Sequence, residues 1–197
     1  MELILVRHAR PEQVAGMAGG ADPALTAIGH RQARAAAAWL AAEHLDGLYV
    51  SPMVRARQTA QPLERLIGSG AVVVDGVREY DAEHPSYTPV EVLRQDKEAW
   101  RQFLAEEDAV DRSEWVRLVA ETLEDIIERH RGQRVAVVCH GGVINAWATT
   151  TLGIEPKLFF NPDYTSINRF VAASSGERSI VSLNETGHLR GAPDLRL

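Results

Sequence analysis

The chain is poor in the features that would staple it, anchor it or draw it to a polyanion. Cys139 is the single cysteine in 197 residues, so an intramolecular disulfide and a thiolate metal site are both excluded. No apolar run approaches the roughly 18 residues that a membrane span requires. Met1-Glu2 leads directly into an apolar stretch with no basic leader ahead of it, and the expected location is cytoplasmic. Positive charge is scarce as well. The net charge is −6, which argues against a broad surface for nucleic acid or an anionic membrane. Lys97 and Lys157 are the only lysines among 21 basic residues, so any anion site must be a local cluster of arginines. With 45% hydrophobic and 24% charged residues, the composition is that of a soluble globular protein. The length suits one domain over 1–197 with a small lobe inserted into it.

The apolar pattern alternates between short runs and amphipathic stretches. Leu3-Ile4-Leu5-Val6, Leu48-Tyr49-Val50, Ala71 to Val74 and Val135 to Cys139 read as buried strands. Helices are expected from Thr26, a plausible N-cap, and over 54–67, 113–131 and 142–152. Ala33, Ala36, Ala37, Leu40 and Ala41 give the first of these an apolar face at helical spacing. Ahead of it lies a loop rich in small residues, through Gly16, Gly19, Gly20 and Pro23. Residues 81–112 carry no strand signal but gather Tyr87, Trp100 and Phe103 beside the acidic run Glu106-Glu107-Asp108, and read as a helical insertion over the strand ends. Ile167 to Ala173 and Ser179 to Leu183 form a hairpin at the sheet edge, and the polar tail from Asn184 is expected to be loosely held. Strands alternating with helices imply a three-layer α/β/α fold with a mostly parallel central sheet.

Two strands deliver a histidine at their carboxyl ends, where open α/β sheets bind ligands. One ends in Arg7-His8, with Arg10 two residues on; the other ends in Cys139-His140-Gly141-Gly142, whose glycines permit close backbone approach. The bland alternative for the first is a surface Arg-His pair. Ser51-Pro52 opens the helix that carries Arg55 and Arg57, and its first turn collects unpaired N–H groups and positive dipole. An arginine there can grip an anion with two parallel bonds, or it can be one of two solvated arginines. Glu79 and Asp81 follow the third strand. A carboxylate there is a general acid or one half of an ion pair, and taken alone the ion pair is the simpler reading. His84, in the insertion, is expected at the surface. A metal held by His8, His140 and Glu79 or Asp81 is allowed by residue type, but the neighbouring arginines would repel a cation.

These segments, in this order, resemble one known family. Leu5-Val6-Arg7-His8, Leu25-Thr26-Ala27-Ile28-Gly29-His30-Arg31-Gln32-Ala33, Ser51-Pro52-Met53-Val54-Arg55-Ala56-Arg57-Gln58-Thr59-Ala60, Glu79 and Val138-Cys139-His140-Gly141-Gly142 match the histidine phosphatase superfamily, which includes the cofactor-dependent phosphoglycerate mutases. Thr165-Ser166-Ile167 is similar too. The resemblance implies that His8 is a nucleophile that becomes phosphohistidine. It implies that Arg7, Arg55 and His140 hold the phosphoryl oxygens, with Arg10 as a further candidate, and that Glu79 is the proton donor. It implies neither metal nor cofactor. Two positions depart from the family pattern: Ala9 stands where glycine is usual, and Val14 where many members have asparagine.

The expected activity is metal-independent hydrolysis of a small phosphorylated substrate. The alternative is mutase-type phosphoryl transfer, which must retain a carboxylated intermediate and so calls for several basic groups in the insertion. Here the insertion offers Arg94, Lys97, Arg101 and Arg112 among many acids. A third reading, favoured only by Ala9, is a phospholigand-binding module without turnover. Tyr80, Tyr87, Trp100, Phe103 and Trp115 are either an apolar wall for an aromatic, nucleoside or sugar phosphate, or simply the core of the insertion.

Overall fold

Apolar strands that are buried on both faces need helices above and below them. The computed structural model describes residues 1–16 and 20–196, apart from the side chains of residues 107–109. Strands β1 (Glu2–Arg7), β2 (Gly47–Val50), β3 (Val72–Val73) and β4 (Arg134–Cys139) run parallel. Strand β5 (Ile167–Ala172) lies antiparallel on β1, and β6 (Arg178–Glu185) antiparallel on β5. The sheet order is β3-β2-β4-β1-β5-β6.

The pleat sorts the core into two layers. Leu3 and Leu5 of β1 and Val135 and Val137 of β4 face helices α5 (Ser113–Arg129) and α6 (Gly141–Leu152), meeting Leu123, Ile126 and Trp147. Their neighbours Ile4, Val6, Ala136 and Val138 face the opposite way, toward α1 (Ala27–Ala41) and α2 (Val54–Ile67), and meet Ala37, Leu40 and Leu63. Helix α1 starts where its sequence indicates: the Thr26 hydroxyl accepts from the Gly29 N–H at 2.9 Å, as an N-cap should. Two further helices, α3 (Val90–Leu93) and α4 (Lys97–Ala109), make up the expected helical insertion. Among the described residues no helix is long and apolar enough to cross a membrane.

Four expectations need correction. The third strand is only two residues long, and Val72 and Val73 are exposed, because β3 is an edge strand with a neighbour on one side only. Pro52 lies ahead of the α2 N-cap, Met53, and not inside the first turn. The tail is docked rather than loose. Asn184 and Glu185 extend β6, while Leu189 and Leu195 are buried against α1, where the Gln32 side chain donates to the Leu195 carbonyl at 2.8 Å. The insertion also carries a β-bridge, since Val14 and Tyr87 exchange backbone hydrogen bonds. Gly19 and the side chains of Glu107 and Asp108 lie outside the described residues.

Arg169 ties the amino ends of the central strands together. Its guanidinium reaches Glu43 at 2.6 and 2.9 Å, Glu2 at 2.8 Å and Glu185 at 3.2 Å, and only 13% of the side chain is exposed. Removing the cation leaves Glu185 without its ion-pair partner, and Glu2 and Glu43 with Arg134 alone at 2.6 and 3.9 Å. Arg169→Met should therefore cost about 2 kcal/mol of stability at neutral pH, read from urea unfolding. The deficit should shrink as the pH falls far enough to protonate Glu2, whose carboxyl, against the opposing effect of burial, is held below its usual range by Arg134 and Arg169.

Candidate active site

Strand register brings the key side chains to one edge. Arg7 pairs with Cys139 and Val50 with Val138, so His8, His140 and Ser51 leave three adjacent strands at the same carboxyl end. The His8 and His140 rings stand 5.2 Å apart. Backbone bonds lock the turn after β1: the His8 N–H donates to the Cys139 carbonyl at 2.9 Å and the Thr165 N–H to the Arg7 carbonyl at 3.1 Å. Thr165 holds a left-handed φ of 59° to make that contact, a conformation that costs a threonine energy and persists here under buried packing.

The tautomer of His8 follows from its partner. Nδ1 lies 2.8 Å from the Ala9 carbonyl, which can only accept, so Nδ1 carries the hydrogen and Nε2 of the neutral ring is a free base. Burial, then the charges of Arg55 and Arg7, hold the His8 imidazolium well below its ordinary range. Burial and Arg55 do the same to His140. Its Nε2 sits 2.8 Å from the Ser51 hydroxyl, while Nδ1 is buried with no protein partner. When Ser51 donates, Nδ1–H becomes a donor in waiting.

The two arginines are buried and incompletely paired. Arg7 donates from Nη1 to Glu91 at 2.8 Å and to the Pro162 carbonyl, and its guanidinium lies 4.2 Å above the Tyr164 ring. Its Nε has no partner. Arg55 is 1% exposed, rests 4.8 Å over the Tyr87 ring, and leaves Nε and Nη1 without hydrogen-bond partners. The nearest carboxylate is that of Asp22, 3.7 Å away. Buried N–H groups of this kind ordinarily find an acceptor, and a tetrahedral oxyanion supplies several.

Glu79 completes the group. Its carboxylate accepts from the Gly142 N–H at 2.9 Å and the Tyr80 N–H at 3.2 Å. Burial, together with the nearby charge of Asp81, pushes it up to about 7, far from the surface ion pair that the sequence allowed. Arg7, His8, Arg55 and Glu79 line one cavity of about 170 Å³, with His140 buried directly behind. Arg10 is not among the lining residues; its backbone instead bonds Thr26 and Gln32 of the α1 cap. His84 is exposed, as expected.

Several supporting residues escaped the sequence reading. Thr59 accepts from the Ala9 N–H at 2.9 Å and donates to the Arg55 carbonyl at 2.7 Å, tying the His8 loop to α2. Its position one turn after Arg55 was an available signal. Asp22 accepts from the Val54 N–H at 2.9 Å, so the first turn of α2 is occupied and not open to ligand. Glu91 clasps both Arg7 and the Tyr164 hydroxyl, and nothing local in the sequence marks it. The departure at Ala9 is absorbed by packing, since the methyl group sits fully buried with Leu25 and Ala33. Val14, the second departure, is engaged with Tyr87 through its backbone.

Residues 3–186 match the histidine phosphatase superfamily, branch 1. The chain belongs to this superfamily. It is 30% identical to phosphoserine phosphatase 1 of Hydrogenobacter thermophilus, over 96% of this chain and 94% of that one. It is 26% identical to a probable phosphoglycerate mutase of Yersinia enterocolitica, over 79% and 77%. The phosphoserine phosphatase of Entamoeba histolytica, solved with 3-phosphoglyceric acid, superposes with a TM-score of 0.76 at 26% identity, covering 95% of this chain and 98% of that one. The six-stranded α/β architecture is that of the superfamily, and the chain is a phosphatase of it.

Gly142 offers a direct test of the geometry. A Cβ at this position would lie 2.2 Å from Glu79 Oε1, so Gly142→Ala must displace the carboxylate. Phosphatase activity should fall by about 100-fold in steady-state assays while the circular dichroism spectrum is unchanged.

Proposed function

We propose that this phosphatase hydrolyses small phosphomonoesters by way of a phosphohistidine on His8, without a metal ion or other cofactor. The observation that carries the reading is the state of His8: a buried imidazole whose Nδ1 is committed to the Ala9 carbonyl, flanked by Arg7 and Arg55 with N–H groups to spare. A neutral Nε2 is a nucleophile, and two guanidinium groups beside it repel a metal cation but welcome a phosphate.

In the first step His8 Nε2 forms a bond to phosphorus as the bond to the ester oxygen breaks. Glu79 gives its proton to the departing oxygen. Arg7, Arg55 and the Nδ1–H of His140 hold the equatorial oxygens, where charge gathers in the transition state. In the second step water attacks phosphorus, the nitrogen–phosphorus bond breaks, and the Glu79 carboxylate takes the water proton. The products are an alcohol and inorganic phosphate. Residues 1–197 act as one domain, with the insertion at about 81–112 covering the site, and a lone buried cysteine suits a cytoplasmic setting.

Phosphoryl transfer of the mutase type shares the first step, and a relative described as a probable phosphoglycerate mutase keeps that alternative in view. Hydrolysis is favoured because, beyond Arg7 and Arg55, Arg94 is the one arginine or lysine among the described residues lining the cavity. Retaining a carboxylated intermediate calls for more.

Turnover of p-nitrophenyl phosphate should survive excess EDTA and fall on the order of 10⁴-fold in His8→Ala. Activity retained by that variant overturns the mechanism. The pH profile is a second check. Glu79 must begin protonated, so kcat/KM should decline as pH rises through about 7. His8 must be neutral, and its lowered pKa should keep activity intact well below pH 6.5. Asp81→Asn removes a negative neighbour of Glu79 and should move the alkaline decline to lower pH.

A further inference from the structure

Beyond the phosphate pocket the cavity continues between the insertion and the loop that leads into β5. Its walls here are apolar: Trp100, Phe103 and Leu104 of α4 on one side, Leu158 and Phe159 on the other. Trp100 and Phe103 stack with centroids 5.4 Å apart and an interplanar angle of 23°, and Phe159 packs on Phe160 at 4.9 Å. Leu104, Leu158 and Phe159 are each about two-fifths exposed, at 41%, 39% and 38%. Apolar surface gathered around a concave site is a recognition feature.

The polar side chains nearby are engaged with the protein. The Asn145 amide donates to the Gly141 and Phe160 carbonyls and accepts from the Phe159 and Phe160 N–H groups. Asn161 reaches toward Glu91 at 3.4 Å, and Glu91 is itself held by Arg7 and Tyr164. Among the described residues the carboxylates lining the cavity are Glu79 and Asp81. An α-amino acid leaving group would therefore find, among the described residues, only Asp81 and the proton donor Glu79 as anionic partners for its ammonium, against a wall that is otherwise largely apolar. Tyr87 and Thr88 add hydroxyl groups to the lining, and at the outer end stands Arg94, exposed, with its guanidinium 4.9 Å over the Trp100 ring.

We infer that the alcohol released by this enzyme carries a planar apolar group, packed against the aromatic wall of Trp100, Phe103 and Phe159, with an acidic substituent at its far end paired to Arg94. The inference rests on the hydrolytic reading of the site. It names the substrate class as an anionic aromatic phosphomonoester, in contrast to the phosphoserine named for the relatives. An aromatic wall favours contact with a planar ring, and a guanidinium already lying on an indole face is poised to meet a carboxylate while keeping that contact.

Three esters with alkyl-oxygen leaving groups separate the contributions: phosphoserine, benzyl phosphate and 4-carboxybenzyl phosphate. Wild-type kcat/KM should rise along that series, by about tenfold from the first to the second for ring stacking, and again for the added carboxylate. Trp100→Ala should lower the ratio of kcat/KM for either benzyl ester to that for phosphoserine by about tenfold. Arg94→Gln should abolish the advantage of the carboxylated ester over its parent. The wild-type series decides the matter even where a variant folds poorly. Phosphoserine equal to or better than benzyl phosphate overturns this inference, as does a uniform loss across all three esters in Trp100→Ala. Turnover of p-nitrophenyl phosphate through His8 alongside either result leaves the hydrolytic reading standing and removes only this one. Absence of turnover with every ester, with no phosphate trapped on His8, removes both.

Discussion

Two buried guanidinium groups with N–H donors left over are the constraint around which this protein is arranged. Placing a charge out of water is costly unless it is paired and hydrogen-bonded, and Arg7 and Arg55 are only partly compensated from within. Glu91, the Pro162 carbonyl and the faces of Tyr164 and Tyr87 supply part of what is missing. In the proposed mechanism a phosphoryl group supplies the rest. The neutrality of both histidines follows from the same pair of charges in the same dry environment. The insertion is bound into this arrangement directly, since Glu91 of α3 is the carboxylate that holds Arg7.

Glu79 illustrates how a carboxylate is kept available as an acid near neutral pH. Burial raises its proton affinity and Asp81 adds to the effect, while the Gly142 and Tyr80 N–H groups and Arg55 pull the other way. The outcome, near 7, places the group where proton donation and proton acceptance are both accessible. The glycine after Gly141 is required by this contact. Its missing Cβ is the space that the carboxylate occupies.

The departures and surprises teach something about what a linear pattern carries. Ala9, at a position where the family usually has glycine, packs its methyl group into a small cluster with Leu25 and Ala33. The open first turn expected for α2 is filled by Asp22, which lies 32 residues away from Val54 in the chain. Arg10, two residues after His8, instead uses its backbone to accept from Thr26 and to donate to the Gln32 side chain of α1. Each of these outcomes depends on which segment folds back over which, and no local spacing records that. The short, exposed β3 and the docked tail have the same origin: one follows from lying at the sheet edge, the other from contacts with a helix more than a hundred residues earlier in sequence.

What the order of residues determined was the architecture and the principal chemistry. Continuous apolar runs alternating with amphipathic stretches point to a covered parallel sheet, and a histidine at the end of such a strand lies at the edge where α/β sheets bind ligands. His8 and His140 could therefore be placed at one sheet edge from the sequence, while the roles proposed for Arg7 and Arg55 came from the family resemblance. Tertiary structure alone decided how those groups behave. The His8 tautomer, the proton affinity of Glu79, the grip of Glu91 on Arg7 and the aromatic wall beneath Arg94 all depend on burial and on partners distant in sequence. Electrostatic and hydrogen-bond energies are set by distances of a few ångströms through a low-dielectric interior, and those distances exist only once the chain has closed on itself.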